Sequence, residues 1–180
     1  CRLTLDALRR EDEIFLPLGA DDCWIGMPAD RLAAYGERIA PMYDVAPAGE
    51  GPASMAENGA TAGARLVVPS PGGNGCGPLR ELARLYLMLA AGGVFEGRRL
   101  LRRETVEALA ARHRVGMVDA TFRARLDWGL GVIVNSSHYG EPEMPYGYGP
   151  FAGPRTFGHS GARSSTAFAD PEAGLVVALA

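Results

Sequence analysis

A histidine and a serine stand between two glycines at Gly158-His159-Ser160-Gly161. These residue types suit acyl chemistry. An imidazole near neutrality can orient or accept a proton, and a backbone flanked by glycine can bring its N–H groups close to a carbonyl oxygen. On an extended chain His159 and Ser160 point to opposite sides, so only one of them faces a given side of a sheet. The C-terminal residues beyond them read as a hairpin: a strand through Ser165 to Ala169, a turn with Pro171 early and Gly174 where positive φ is needed, and a second strand from Leu175. The stretch therefore reads as an edge strand offering donors to an acyl oxygen. A plain glycine-flanked strand entry explains the same residues equally well.

Other nucleophilic arrangements fit less well. "GHSGA" looks like a G-x-S-x-G elbow with alanine last, but that elbow needs a buried strand before it and a helix after it. "AGPRT" precedes and "RSSTAFADP" succeeds it, so Ser160 is not assigned as a nucleophile. Cys76 lies just before a helix that begins near Pro78, where a thiol pKa can fall, and His159 could be its base. Nothing in the sequence brings the two together, and a small residue at a tight turn is the simpler role. His113, between Arg112 and Arg114, sits at a helix C-terminus, where a cation suits the dipole. His138 falls in a polar loop. There is no H-x-H or H-E-x-x-H pair, and Cys1, Cys23 and Cys76 match no zinc spacing, so no metal or cofactor is expected. All 18 basic residues are arginine. The absence of lysine excludes a Walker-A loop, a Schiff-base lysine and a Ser-x-x-Lys pair within this chain.

The elements that must position these residues can be read in outline. The chain of 180 residues is 47% hydrophobic with a formal net charge of −3, enough for one domain with a sizeable core. It has no basic stripe for nucleic acid, no apolar run of membrane-span length, and no signal peptide in "CRLTLDALRRED". A helix is expected from Thr4 to Phe15, stopped by Pro17 and Gly19, with Trp24 as an anchor and a short helix over 31–38 capped by Asp30. Residues 44–64, rich in Ala, Gly and Pro, read as a surface loop. Leu79, Leu82, Ala83 and Tyr86 give an apolar helical face starting at Pro78 and ended by Gly92 and Gly93. A second helix is expected from Glu104 to Ala111. "LDWGLGVIVN" reads as one strand, with Trp128, Leu130, Val132 and Val134 on one side. In the loop after it, Tyr139, Tyr146, Tyr148 and Phe151 line a pocket or pack on the surface. The chain lacks an initiator Met, begins inside a helix and ends inside a strand, which suggests a piece of a larger protein.

Taken in order, several segments resemble the C-terminal part of the serine β-lactamase, D-alanyl-D-alanine carboxypeptidase and family VIII esterase superfamily. "IFLPLGADDCWIGMP" resembles I-F-x-P-L-G-M-x-D-T, with Ala20 for Met and Cys23 for Thr. "VPSPGGNGCGPLRELARLYLMLAAGGVFEGRRLLRRETVEAL" resembles the family's helix and turn, with Glu81 for Asp and Arg102-Arg103 for Ser-Pro. "DWGLGVIV" resembles its W-G-L-G strand, and "FGHSGARSSTAFADPEAGLVVAL" its G-H-x-G segment and closing hairpin.

The resemblance implies an α+β, β-lactamase/transpeptidase-like fold: a partial domain over 1–180, mostly helix and loop over 1–125, with sheet strands and the active-site loop over 126–180. It implies that His159-Ser160-Gly161 is the third family motif, Lys-Thr-Gly in many β-lactamases and His-x-Gly in related esterases and peptidases. His159 would orient catalytic hydroxyls, the Ala162 N–H would form half of an oxyanion hole, and Ser160 and Gly161 would touch substrate. The expected partners are a small ester, amide or β-lactam substrate and the missing N-terminal part of the same domain, which would hold Ser-x-x-Lys and the Tyr-x-Asn or Tyr-x-Ser motif. This chain contains neither motif and would be inactive alone. A catalytically inactive homologue used for binding or regulation, and an unrelated structural domain, stand as other readings. The compartment is not legible.

Overall fold

The computed structural model describes residues 14–40, 43–44, 54–55, 66–70, 72, 75–140, 147–161 and 165–180. The chain divides into two compact units: Cys1–Pro78 with Gly161–Arg163, and Leu79–Ser160 with Ser164–Ala180.

The first unit holds short elements: a 3₁₀ turn Leu16–Leu18, β1 (Trp24–Ile25), α1 (Ala29–Tyr35) running into a 3₁₀ turn Gly36–Arg38, β2 (Tyr43–Asp44), β3 (Ser54–Met55) and β4 (Gly75–Cys76). β1 pairs with β4 and β2 with β3, both antiparallel. Of the helix expected from Thr4 to Phe15, residues 4–13 lie outside the described residues. Phe15 itself precedes the 3₁₀ turn, which contains Pro17 and ends at Gly19 in the left-handed region (φ 60°). Trp24 is an anchor: its indole N–H donates to the Tyr35 hydroxyl (3.2 Å), which donates to Asp22. Pro28 rather than Asp30 occupies the N-cap of α1, with Asp30 in the first turn, where its charge suits the helix dipole. The 44–64 segment contributes Asp44 of β2 and both residues of β3; the rest of it lies outside the described residues.

The second unit carries α2 (Leu79–Ala90), a small hairpin of β5 (Val94–Phe95) and β6 (Arg98–Arg99), α3 (Arg103–Ala110), and five strands: β7 (Asp127–Trp128), β8 (Ile133–Val134), β9 (Phe157–Ser160), β10 (Thr166–Asp170) and β11 (Leu175–Leu179). The five strands form one antiparallel sheet in the order β11-β10-β9-β8-β7. This mixture of helix and antiparallel sheet is the expected α+β class. α2 packs against β10 and β11. Its Tyr86 ring lies 6.4 Å from Phe157, and Met88, Phe157 and Ala169 are almost fully excluded from solvent. Gly92 and Gly93 end α2 with φ of 63° and 91°. The Gly93 N–H returns to the Met88 carbonyl at 2.9 Å, which satisfies a carbonyl the helix would otherwise leave open. α2 starts one residue after Pro78, and α3 starts and stops one residue before the expected 104–111.

Two expectations need correction. "DWGLGVIV" is a hairpin, not one strand: Asp127 faces Val134 and Trp128 faces Ile133 across β7 and β8. Gly129 N–H donates to the Val132 carbonyl at 2.9 Å, and Gly131 takes φ of 81°, a conformation that favours glycine. The apparent parity of Leu130 and Val132 came from turn residues. β9, read as an edge strand, lies inside the sheet between β8 and β10.

Candidate functional site

Thr156, buried beside Phe157, passes its carbonyl to the Asn135 N–H at 2.8 Å, and β8 then pairs with Phe157 and Gly158 only. β10 continues further, setting Ala167 against His159 and Thr166 against Ser160. The last two residues of β9 thus overhang β8 while β10 still holds them. Gly158 is buried where the strands close up. A Cβ there would collide with the Ala167 carbonyl and come within 2.7 Å of the Phe168 Cα. That glycine serves strand packing, a reason unlike the access to backbone suggested by the sequence.

His159 is half-buried and held from two directions. Its Nδ1 lies 2.7 Å from the Ser160 carbonyl oxygen. A carbonyl only accepts, so Nδ1 carries the proton and the neutral ring has its lone pair on Nε2. The Trp128 ring lies 5.7 Å away, tilted by 56°, and the Arg114 guanidinium carbon sits 5.2 Å from the centre of that same indole. Arg114 is in turn paired with Asp119. The Arg114 hydrogen bond is the main reason the Asp119 carboxyl lies below its usual range; the Phe122 and Thr121 N–H groups add to it against the cost of burial. Behind the strand, burial pushes the Tyr86 phenol up to about 12, partly offset by the His159 backbone, so it stays protonated at neutral pH.

The Ser160 hydroxyl donates to Thr166 Oγ1 at 2.9 Å. Thr166 begins β10, so the element after the G-H-S-G stretch is a strand and not the helix that a nucleophile elbow requires. Gly161 is exposed. Ala162, expected to offer its N–H to an oxyanion, lies outside the described residues.

The remaining candidates are structural. His113 Nε2 donates to the Ala108 carbonyl at 2.7 Å and caps α3. His138 is half-exposed, with Nε2 3.6 Å from Asp127. Cys76 and Cys23 are half-buried, and neither is in a disulfide. Burial pushes the Cys76 thiol up, the opposite of activation. Among the described residues no group of three or more His, Cys, Asp or Glu side chains is placed to hold a metal ion, and no helix is long and apolar enough to cross a membrane. Tyr139 and Tyr148 pack and bond, to Asp127 (2.7 Å) and to the Ile133 carbonyl (2.9 Å). Phe151 is 96% exposed, and Tyr146 lies outside the described residues.

Two features were not found from sequence. One is the Trp128 contact on His159, which exists only because the β7–β8 hairpin carries Trp128 back towards β9. The other is the buried Asp127, which accepts from Arg112 Nε (2.9 Å), the Tyr139 hydroxyl and the Gly116 N–H (3.1 Å). A charge so enclosed needs these partners, and it locks β7 in place. An aspartate beside a tryptophan in an apolar strand was the available signal.

Comparison with known proteins gives the same outline. A family model described as Beta-lactamase matches residues 10–180. The esterase/beta-lactamase LipL of Mycobacterium tuberculosis is 34% identical over 112 residues, covering 61% of this chain and 22% of LipL. A penicillin-binding protein homolog from Caulobacter crescentus superposes with a TM-score of 0.69 at 32% identity, over 96% of this chain and 45% of that one. A family VIII carboxylesterase superposes with a TM-score of 0.71 at 28% identity, over 93% and 43%. The chain therefore spans less than half the length of these relatives.

Proposed function

The chain belongs to the beta-lactamase family, and from that premise we propose that it forms one wall of a serine hydrolase that acts through an acyl-enzyme on an ester, amide or β-lactam carbonyl, with esters favoured. The observation that carries this reading is His159 at the overhanging end of β9. Its Nδ1 is committed to a backbone carbonyl, which leaves Nε2 as the ring atom that can accept a proton from a hydroxyl in the neutral form. A neutral imidazole orients hydroxyl groups but binds a substrate carboxylate poorly. This supports esters over β-lactams, as do the esterases among the relatives. In this proposal Ser160 and Gly161 contact substrate, and the Ala162 N–H is one of the two donors that hold the developing oxyanion.

The chain holds no lysine and no Ser-x-x-Lys, so the nucleophile and its base come from the remainder of the domain. A serine activated by that lysine attacks the carbonyl, the leaving group departs, and water releases the acyl group. Two results test this. The purified chain alone turns over neither p-nitrophenyl butyrate nor nitrocefin. The coding sequence upstream of Cys1 supplies Ser-x-x-Lys and a Tyr-x-Asn or Tyr-x-Ser motif, and the polypeptide that includes them hydrolyses the butyrate ester. Turnover by the chain alone, or an upstream sequence without those motifs, contradicts the proposal.

A further inference from the structure

The Nδ1 bond of His159 to the Ser160 carbonyl, at 2.7 Å, selects which ring nitrogen is bare. By itself it holds one atom of the imidazole and permits the plane to swing. The Trp128 ring, 5.7 Å away and tilted by 56°, restricts that swing, because tilted aromatic pairs favour particular geometries. The indole is set by neighbours of its own, all in the same compact unit as His159. The Trp128 backbone N–H donates to the Arg114 carbonyl at 2.9 Å, and the Trp128 carbonyl accepts from the His113 N–H at 2.8 Å. The Arg114 guanidinium carbon sits 5.2 Å from the ring centre, and the Phe122 ring lies 6.3 Å away. Trp128 Nε1 is buried and finds no hydrogen-bond partner among the described residues. Ring contacts therefore orient the indole, although an enclosed donor without an acceptor is unfavourable. One buried carboxylate ties both neighbours together. Asp119 pairs with Arg114, and its Oδ1 accepts the Phe122 N–H at 3.2 Å and the Thr121 N–H at 2.9 Å.

We propose that Trp128 is a positioning residue for His159, and that Asp119, through Arg114 and Phe122, sets the indole that holds the imidazole. The consequence for turnover rests on the proposed hydrolase function; the geometry does not. A loose imidazole offers Nε2 to a hydroxyl in only a fraction of its orientations, and misplacement by about 1 Å is enough to cost up to about a hundredfold in rate. A leucine at position 128 would avoid the enclosed donor but would present no ring to the imidazole, whereas phenylalanine keeps a ring there.

The test uses the polypeptide that includes the residues upstream of Cys1, isotopically labelled at histidine, with the His159 signal identified by its loss in His159→Gln. In the unaltered protein, with the imidazole neutral, the nitrogen shifts report a single tautomer with the proton on Nδ1. In Trp128→Leu they move towards the average of the two tautomers. With p-nitrophenyl butyrate, kcat of Trp128→Leu falls about tenfold while KM stays within about twofold, and Trp128→Phe restores kcat to within about threefold. Asp119→Asn moves the nitrogen shifts in the same direction and lowers kcat about threefold, and it adds nothing to Trp128→Leu in the double variant, because both act through one indole. Each variant is read on protein whose circular dichroism is native, and Asp119→Asn, close in shape to the residue it replaces, carries the test if Trp128→Leu loses the fold. A purely structural Trp128 would lower the melting temperature and leave kcat and the nitrogen shifts of the folded protein unaltered. That result, a Trp128→Phe no better than Trp128→Leu, or additive losses in the double variant, overturns the proposal. If the unaltered polypeptide hydrolyses no ester, the hydrolase function falls, and the nitrogen shifts alone decide whether Trp128 positions His159.

Discussion

The two halves of β9 are built differently. Phe157 and Gly158 are clamped between β8 and β10, buried, and packed so closely that the glycine has no room for a side chain. His159 and Ser160 are held by β10 and overhang β8; they are half-buried, and their side chains bond to polar groups of the same hairpin. The first half fixes the strand, and the second presents it. A short strand can aim a histidine this way only because the residues just before it are immobilised by packing and by a ladder on both sides.

The largest effect is expected from breaking the clamped half. Phe157→Ala removes a ring that is 1% exposed and packs near Tyr86, and chemical denaturation should show a loss of about 3–5 kcal/mol. Gly158→Ala should cost about 1–3 kcal/mol by overpacking, because backbone of β10 would have to move. In the presenting half the balance reverses. His159→Ala should change stability by less than about 1 kcal/mol, yet lower ester turnover in the polypeptide that carries the nucleophile by about a hundredfold. His159→Lys sharpens the comparison, since a fixed ammonium favours a carboxylate-bearing substrate. It should shift the ratio of nitrocefin to p-nitrophenyl butyrate hydrolysis towards nitrocefin by about tenfold.

The smallest effect is a pH response behind His159. The Asp119 carboxyl lies below its ordinary range, chiefly through Arg114. A depressed carboxylate contributes stability above its unfolded pKa and loses it as pH falls through its folded value. Acidification below the usual carboxylate range should therefore release Arg114 from Asp119 and change Trp128 fluorescence before the sheet unfolds. Asp119→Asn should give the same fluorescence at neutral pH. A spectrum that is flat across that range, or unaltered in the variant, would separate the Arg114 contact from the setting of the indole.

Local chemistry was legible in the sequence where it was sufficient. The spacing of Leu79, Leu82, Ala83 and Tyr86 with Gly92-Gly93 marked α2, and Gly174, with φ of 63°, marked the turn between β10 and β11. The order of weak motifs marked the family. Where a long-range partner decides, the sequence misled. The β-branched and apolar residues of "GLGVIV" imitate a continuous strand, and only the pairing of Trp128 with Ile133 reveals the hairpin. The edge reading of β9 failed for the same reason, because β8 reaches it from a distant part of the chain. His159 was singled out because its glycine neighbours are adjacent in sequence. The Trp128 ring beside it, and Arg114 on that ring, were not found, since the fold alone brings them there.

The imidazole of His159 offers the most direct test of the central claim. Long-range proton–nitrogen NMR of the neutral imidazole should show the proton on Nδ1, the lone pair on Nε2, and ring resonances displaced by Trp128. A proton on Nε2, with Nδ1 bare, would contradict the account, because Nε2 would then carry no lone pair for the hydroxyl groups that this wall is proposed to serve.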